Sequence, residues 1–310
     1  MVPKSVINDL RRRLTERILE QMHPRRTIER PAALAEIRAN WRSRDSTASS
    51  APDGNAPPTT TAPIMAVLVR RATQVAPTIK ALAGRTASPA GRVYLELSLA
   101  DLPAAIVAVR AAGLQPALVC PRVISPHQRS YVESLLALDA EAMLVRNLGS
   151  LAMLRRRRPD WLAIGDASLS AVNEASALAL SEMGLDALTP GHDIDAAALA
   201  GLVADSPPGF WELPIRLHEV LFYTQYCLFS HHLGQGGPGG PCEKCPQPCR
   251  RHRLTLRDSA GRSFEVRRDA VGRCDIFSAQ PQTCRLPPGL LGRLAATRIE
   301  LLDEPTDEIA

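Results

Sequence analysis

Short apolar runs recur along most of the chain: MAVLV (65–69), VYLEL (93–97), PALVC (116–120), AMLVR (142–146), WLAIG (161–165), DALTP (186–190), FWELPI (210–215) and TRIELL (297–302). Amphipathic stretches such as LADLPAAIVAVRAAG and SAVNEASALALSEMG lie between them, and each ends in a glycine, Gly113 or Gly184, of the kind that stops a helix. Continuous apolar runs alternating with helices predict parallel strands buried on both faces. Eight βα-type strands are what a closed (β/α)8 barrel of the TIM type requires, with a doubly wound open parallel sheet as the alternative. Aromatic residues make up only 4% of the chain, so the core must be built from Leu, Ala, Val and Ile.

The rhythm starts late and breaks once. Residues 1–43 read as a helical segment, with Ile7, Leu10, Leu14 and Ile18 at helical spacing. Residues 44–63, RDSTASSAPDGNAPPTTTAP, have the composition of a disordered linker. The barrel domain is expected over 64–303. Between the seventh and eighth strands an irregular insertion, 219–285, carries six of the seven cysteines and a glycine-rich run, LGQGGPGGPC. An insertion after a barrel strand emerges at the C-terminal face, so this one is expected to lie over the mouth.

Cys242, Cys245 and Cys249 follow C-x-x-C-x-x-x-C spacing, with Cys227 upstream and Cys274 downstream. The N-terminus lacks an apolar signal core and no run of ~18 apolar residues occurs. A cytoplasmic protein without a membrane span is therefore expected. In a reducing compartment clustered thiols bind metal more often than they form disulfides. Sulfur-only ligation favours zinc or an iron–sulfur centre over hard cations. Cys120 ends a strand and reads as a core thiol; Cys284 lies past the cluster. His231, His232 and His252 flank it as surface groups or as supports of the ligands. The formal net charge is +5 and arginine outnumbers lysine. That balance suits an anionic partner such as RNA, although a GC-rich coding bias also favours arginine.

The segments VRNLGSLAMLRRRRPDWLAIGDASLSAVNEASALALSEMGLDALTPGHDID, HEVLFYTQYCLF and CPQPCRRHRLTLRD resemble the collagenase-like peptidase family U-32, in particular the C-terminal half of its long members. The resemblance runs from about residue 64 to 303. It implies a 4Fe–4S cluster on four cysteines, which fall on Cys227, Cys245, Cys249 and Cys274. One family pattern has a further cysteine where this chain has Ser230, so Cys242 stands as the replacement ligand; structural zinc is the alternative metal. The resemblance also implies participation in hydroxylation of RNA or another anionic aromatic substrate. Its name implies protein hydrolysis instead, as a collagenase-like peptidase.

The residues themselves supply no protease signature: neither H-E-x-x-H nor G-x-S-x-G occurs. The barrel reading places polar residues at strand ends, where they face the mouth. Asp166 and His218 are the candidate catalytic residues, and Arg146, Asn147 and Arg122 the candidate substrate-binding residues. The competing reading makes Arg146, Asn147 and Asp166 helix caps and loop supports. Glu96 and Glu300 read as structural. Two enzyme readings result, an iron–sulfur hydroxylation system and a peptidase. A third makes the chain a non-catalytic partner subunit, with a second family-like chain completing the site.

Overall fold

The computed structural model describes residues 4–21, 30–43, 63–84, 91–233, 245, 248–285, 288–305 and 308–309. The expected linker at 44–63 lies outside the described residues except for Pro63. Residues Met1–Ile37 form one unit and Arg38–Ala310 another. In the first, α1 (Lys4–Gln21) leaves Val6, Leu10, Leu14 and Ile18 exposed. The second helix, α2 (Arg30–Arg42), crosses the boundary between the units.

Within the larger unit the eight expected strands are all present: β1 (Ile64–Val69), β2 (Arg92–Leu95), β3 (Gln115–Val119), β4 (Ala142–Val145), β5 (Leu162–Gly165), β6 (Ala187–Leu188), β7 (Glu212–Leu217) and β13 (Ala296–Glu300). Six helices connect the first seven strands: α3 (Val75–Ala83), α4 (Leu102–Ala111), α5 (Arg129–Leu136), α6 (Leu148–Arg157), α7 (Glu174–Glu182) and α8 (Ala196–Ala204). Asn147, Asn173 and Asp195 cap α6, α7 and α8 with their side chains. Gly113 and Gly184 take the left-handed conformation that ends α4 and α7, at φ 72° and 104°.

Parallel pairing runs unbroken from β7 through β13, β1, β2, β3, β4 and β5 to β6. A parallel bridge between Leu188 and Trp211, with Leu188 N–H donating to Phe210 O at 3.0 Å, then joins β6 to the start of β7. The sheet is therefore a closed eight-stranded barrel, and the open doubly wound alternative does not apply. Closure is tight at Gly165, where a Cβ would sit 2.4 Å from Leu188 Cδ1. Pro214 cannot donate within β7, and the pairing with β13 slips by one residue beside it.

Side chains alternate across the barrel wall. Val67, Val69, Val93, Leu95, Leu118, Met143 and Val145 point outward into the helix layer. The inward set is small, with Ala66, Ala117, Ala142 and Ala187 beside Leu68, Leu144, Ile164 and Tyr94. These alanines leave room for long charged side chains inside the barrel. Trp41, at the end of α2, belongs to the outer core: it is 1% exposed, meets Phe210 edge-on at 4.7 Å and donates to Ser206 Oγ at 3.0 Å. The last turn of the expected N-terminal segment is thus part of the barrel unit.

After β7 the chain builds β8 (Val220–Thr224), a short helix α9 (Leu228–Leu233), β9 (Leu254–Arg257), β10 (Ser263–Arg268) and β11 (Cys274–Phe277). The strands form an antiparallel sheet in the order β8-β11-β10-β9. β12 (Gln282–Thr283) then returns antiparallel along the end of β7. Side chains fasten this sheet to the barrel's C-terminal rim. Arg267 donates to Leu302 O and Arg70 O at 3.0 and 2.8 Å, and Arg273 donates to Val123 O and to Ser125 Oγ. The described strands of the insertion lie over the mouth, the side its position in the sequence predicts.

Candidate active site

Where the strands end inside the barrel, three arginines and three carboxylates alternate in a closed ring. Arg298 Nη2 donates to Asp166 Oδ1 at 2.9 Å and Arg146 Nε to Asp166 Oδ2 at 2.8 Å. Arg146 Nη1 meets Glu96 Oε1 at 2.5 Å, and Arg70 Nε meets Glu96 Oε2 at 2.9 Å. Arg70 Nη2 reaches Glu300 Oε2 at 2.8 Å, and Arg298 Nε returns to Glu300 Oε1 at 3.0 Å. A branch leads downward from Arg298 Nη1 to Glu212 Oε1 at 2.7 Å, and Glu212 Oε2 accepts from Arg92 and from Tyr94 Oη.

Charge within this network balances, four guanidiniums against four carboxylates, and every carboxylate oxygen accepts. Burial alone would raise the acids, but the adjacent guanidiniums outweigh it. Glu96 is held at about 2 by Arg146 and Arg70, and Asp166 and Glu300 also lie below the usual carboxylate range.

Above the ring, between the barrel rim and the inserted sheet, lies a cavity of about 980 Å³. Nine arginines and five carboxylates line it, so arginine outnumbers acid in the lining. Arg71 and Arg253 both pair with Asp303. Among the described residues, Arg122, Arg250 and Arg251 line the cavity without an ion pair. Arg267, bonded to carbonyls rather than to a carboxylate, is pushed down to about 10 by burial and by the neighbouring Arg70.

From the inserted sheet Asp275 faces the same cavity. It is 8% exposed, and its Oδ1 is covered and has no hydrogen-bond partner among the described residues. Burial, with a contribution from Glu96, pushes its carboxyl up to about 6.

The sequence-derived candidates separate in space. Arg146 and Arg122 line the cavity; Arg146 is buried in the ring beside Asp166, and Arg122 is half-buried on the rim. Asp166 sits beneath the cavity floor and also accepts from Ala167 N–H. Asn147 caps α6 through Ser150 N–H and donates to Pro121 O, so its carboxamide is engaged at both ends. His218 Nδ1 lies 2.8 Å from Ser278 O, outside the cavity lining. Its neighbour Glu219 holds His192 Nδ1 at 2.6 Å. Burial lowers the His192 pKa, but the Glu219 hydrogen bond outweighs it and the pKa rises. Sequence reasoning left aside Arg70, Arg298 and Glu212, and it set down Glu96 and Glu300 as structural.

The thiols also separate. Cys227, Cys249 and Cys274 pack in one small cluster with Phe229 and Val266, and Cys249 also lines the cavity. Amide N–H groups of Leu228 and Phe229 point at the Cys274 sulfur. Burial, then the adjacent Cys227 thiol, push Cys274 up to about 12. A bound metal reverses that preference, because a coordinating thiol is deprotonated outright. Cys245 is half-buried three residues before the short 3-10 turn Pro248–Arg250 that holds Cys249, while Cys242 lies outside the described residues. Among the described residues no group of three or more His, Cys, Asp or Glu closes up as a metal site. The clustered thiols and the amides aimed at sulfur nonetheless suit thiolate ligation. Cys120 is buried in the barrel core, accepting from Arg146 N–H, and Cys284 packs against the same core.

No protein-family model matches the sequence, and no curated protein matches it. Among solved structures, the U32 peptidase Mk0906 is similar over 83% of this chain and 98% of its own, with 13% identity and a TM-score of 0.46. A protein from Coccidioides immitis provisionally assigned as a fructose-1,6-biphosphate aldolase is similar over 49% of this chain and 64% of its own, with 14% identity and a TM-score of 0.38. A FabK mutant from Thermotoga maritima is similar over 49% and 54%, with 13% identity and a TM-score of 0.35. This chain therefore spans less than two thirds of the length of the last two.

Proposed function

We propose that the protein is a barrel enzyme that binds an anionic substrate in the cavity under the inserted sheet, beside a metal centre held by Cys227, Cys245, Cys249 and Cys274. One observation carries this reading: a cavity of about 980 Å³, with arginine in excess over acid in its lining, has in its walls both the charge-paired barrel mouth and Cys249, which packs with Cys227 and Cys274 behind it. Arg122 offers a planar fork to a carboxylate or phosphate without first breaking an ion pair. Arg146 presents one edge to the cavity while Asp166 and Glu96 fix its plane. In this reading Asp166 positions Arg146, and its low carboxyl pKa leaves it a poor proton donor.

A 4Fe–4S cluster would supply electron transfer or substrate activation at the cavity wall. The resemblance of the GDASLS and cysteine segments to family U-32 supports that cluster. The arginine-rich lining supports RNA or another anionic aromatic compound as the substrate, and the resemblance supports hydroxylation as the reaction. Ser168 argues against an activated serine, because its Oγ donates to Arg146 O at 3.0 Å.

Mass spectrometry of RNA nucleosides from a deletion strain tests the reading. Restoring the wild-type gene should restore a hydroxylated nucleoside, whereas Arg122→Ala and Cys245→Ala should not. Hydrolysis of gelatin by the purified wild-type protein, with an unchanged nucleoside profile in the deletion strain, would favour the peptidase instead.

A further inference from the structure

Arg122 and Asp275 stand in the walls of one cavity, the first on the barrel rim after β3, the second on β11 of the inserted sheet. Arg122 lies close enough to draw the Asp275 carboxyl down against its burial, yet they form no ion pair. Both are anchored at the backbone. Asp275 is fixed in mid-sheet, paired to Tyr223 on one side and Arg267 on the other. Arg122 follows Pro121, whose carbonyl is tied to Asn147. Asp275 is more than nine-tenths buried, and its carboxyl accepts no hydrogen bond among the described residues. An acid and a guanidinium that face one cavity without meeting leave an opening for groups of reversed polarity. The ring below has no such opening, since all its carboxylate oxygens are already paired.

We propose that the cavity selects a ligand that bridges Arg122 and Asp275, presenting an anionic group to the arginine and a hydrogen-bond donor, hydroxyl or ammonium, to the carboxylate; this rests on reading the cavity as the substrate site. Asp275 is then a specificity residue. It gains a donor it lacks in the free protein, and a ligand without one leaves the buried carboxylate unsatisfied.

Matched alkyl phosphates test this by calorimetric titration of the full chain. Alkyl phosphates of two to four carbons supply the anion alone; their ω-hydroxy and ω-amino counterparts add a neutral or a cationic donor. A hydrogen bond to a charged group corresponds to an affinity gain of about 10-fold or more. The wild-type protein should therefore bind one or both donor-bearing series about 10-fold tighter than the plain series. That preference should fall within about two-fold in Asp275→Ala, and Arg122→Ala should weaken all three series. Tighter binding of the amino series, with Asp275→Asn losing it and keeping the hydroxy series, identifies a cationic donor; equal gains from both identify a neutral one. Equal affinity of all three series for the wild type, or a preference that survives Asp275→Ala, overturns the proposal while leaving the anion site intact. Failure of every phosphate to bind overturns the anion site itself.

Discussion

Arg298→Met removes the junction of the buried charge network. Arg298 is 0% exposed and its guanidinium serves three carboxylates, those of Asp166, Glu212 and Glu300. Methionine fills much of the volume but leaves four carboxylates facing three guanidiniums out of reach of water. Breaking a buried pair by removing one partner costs about 3–5 kcal/mol, most of it the desolvation of the charge left behind. Against a typical total of roughly 5–15 kcal/mol, that is a large share. Urea unfolding followed by tryptophan fluorescence is the assay, since Trp41, Trp161 and Trp211 are all buried. The midpoint should fall by about 1–2 M with little change in slope.

The pH dependence separates lost charge from lost packing. In the wild type the carboxyls of Glu96, Asp166 and Glu300 lie below their unfolded values. Their stabilisation is present above the unfolded value of about 4 and is lost as pH falls towards the folded values. In the variant the orphaned acids titrate at higher pH and escape their penalty by taking up protons. The gap between the two proteins should be widest near pH 7 and should narrow as pH falls towards about 4.5. A double variant, Arg298→Met with Asp166→Asn, should recover part of the loss. A cost below about 1 kcal/mol, or one independent of pH, would refute the account of the ring as mutually dependent buried charges.

Other consequences are as direct. Trp41→Ala should destabilise the barrel unit by about 3–5 kcal/mol in the same urea assay, because a buried indole and its bond to Ser206 are lost together; an unchanged midpoint would remove α2 from the core. Asp275→Asn should melt higher than wild type at pH 7. Its raised carboxyl favours protonation on folding, so wild-type stability falls as pH rises from about 4 through 6, and the advantage of the variant should vanish near pH 4. His192→Gln should be less stable than wild type at pH 6 and should close the gap at higher pH, since a raised histidine pKa stabilises below its unfolded value and ceases to do so as pH rises through the folded one. A gap that widens with pH would contradict the Glu219 contact.

The barrel was legible because its strands are buried on both faces and its helices stop at glycines, signals that survive in one dimension. Even DALTP, only two residues of which pair as β6, occupies the position that closes the sheet. Arg146, Asp166 and Arg122 could be singled out because strand ends in a barrel face the mouth. The rest of the site depends on curvature. Arg92, Glu212 and Arg298 lie within strands, where a charged residue in sequence suggests solvent, and barrel closure turns them inward instead. Asp275, in CDIF, looks like any polar position of an alternating strand until the insertion folds over the mouth. The role of Trp41 was hidden because its partner Ser206 lies 165 residues away.

Iron and acid-labile sulfide analysis of protein purified without oxygen bears most directly on the proposal that a thiol-held metal centre lies in the cavity wall. The account predicts about four iron and four sulfide per chain, with broad visible absorption, and a sharp loss of both in Cys245→Ala. Cys120→Ser, altered in the barrel core, should keep the full complement. A colourless protein holding zinc would contradict the iron–sulfur assignment, and iron retained at the native level in Cys245→Ala would contradict the ligand set.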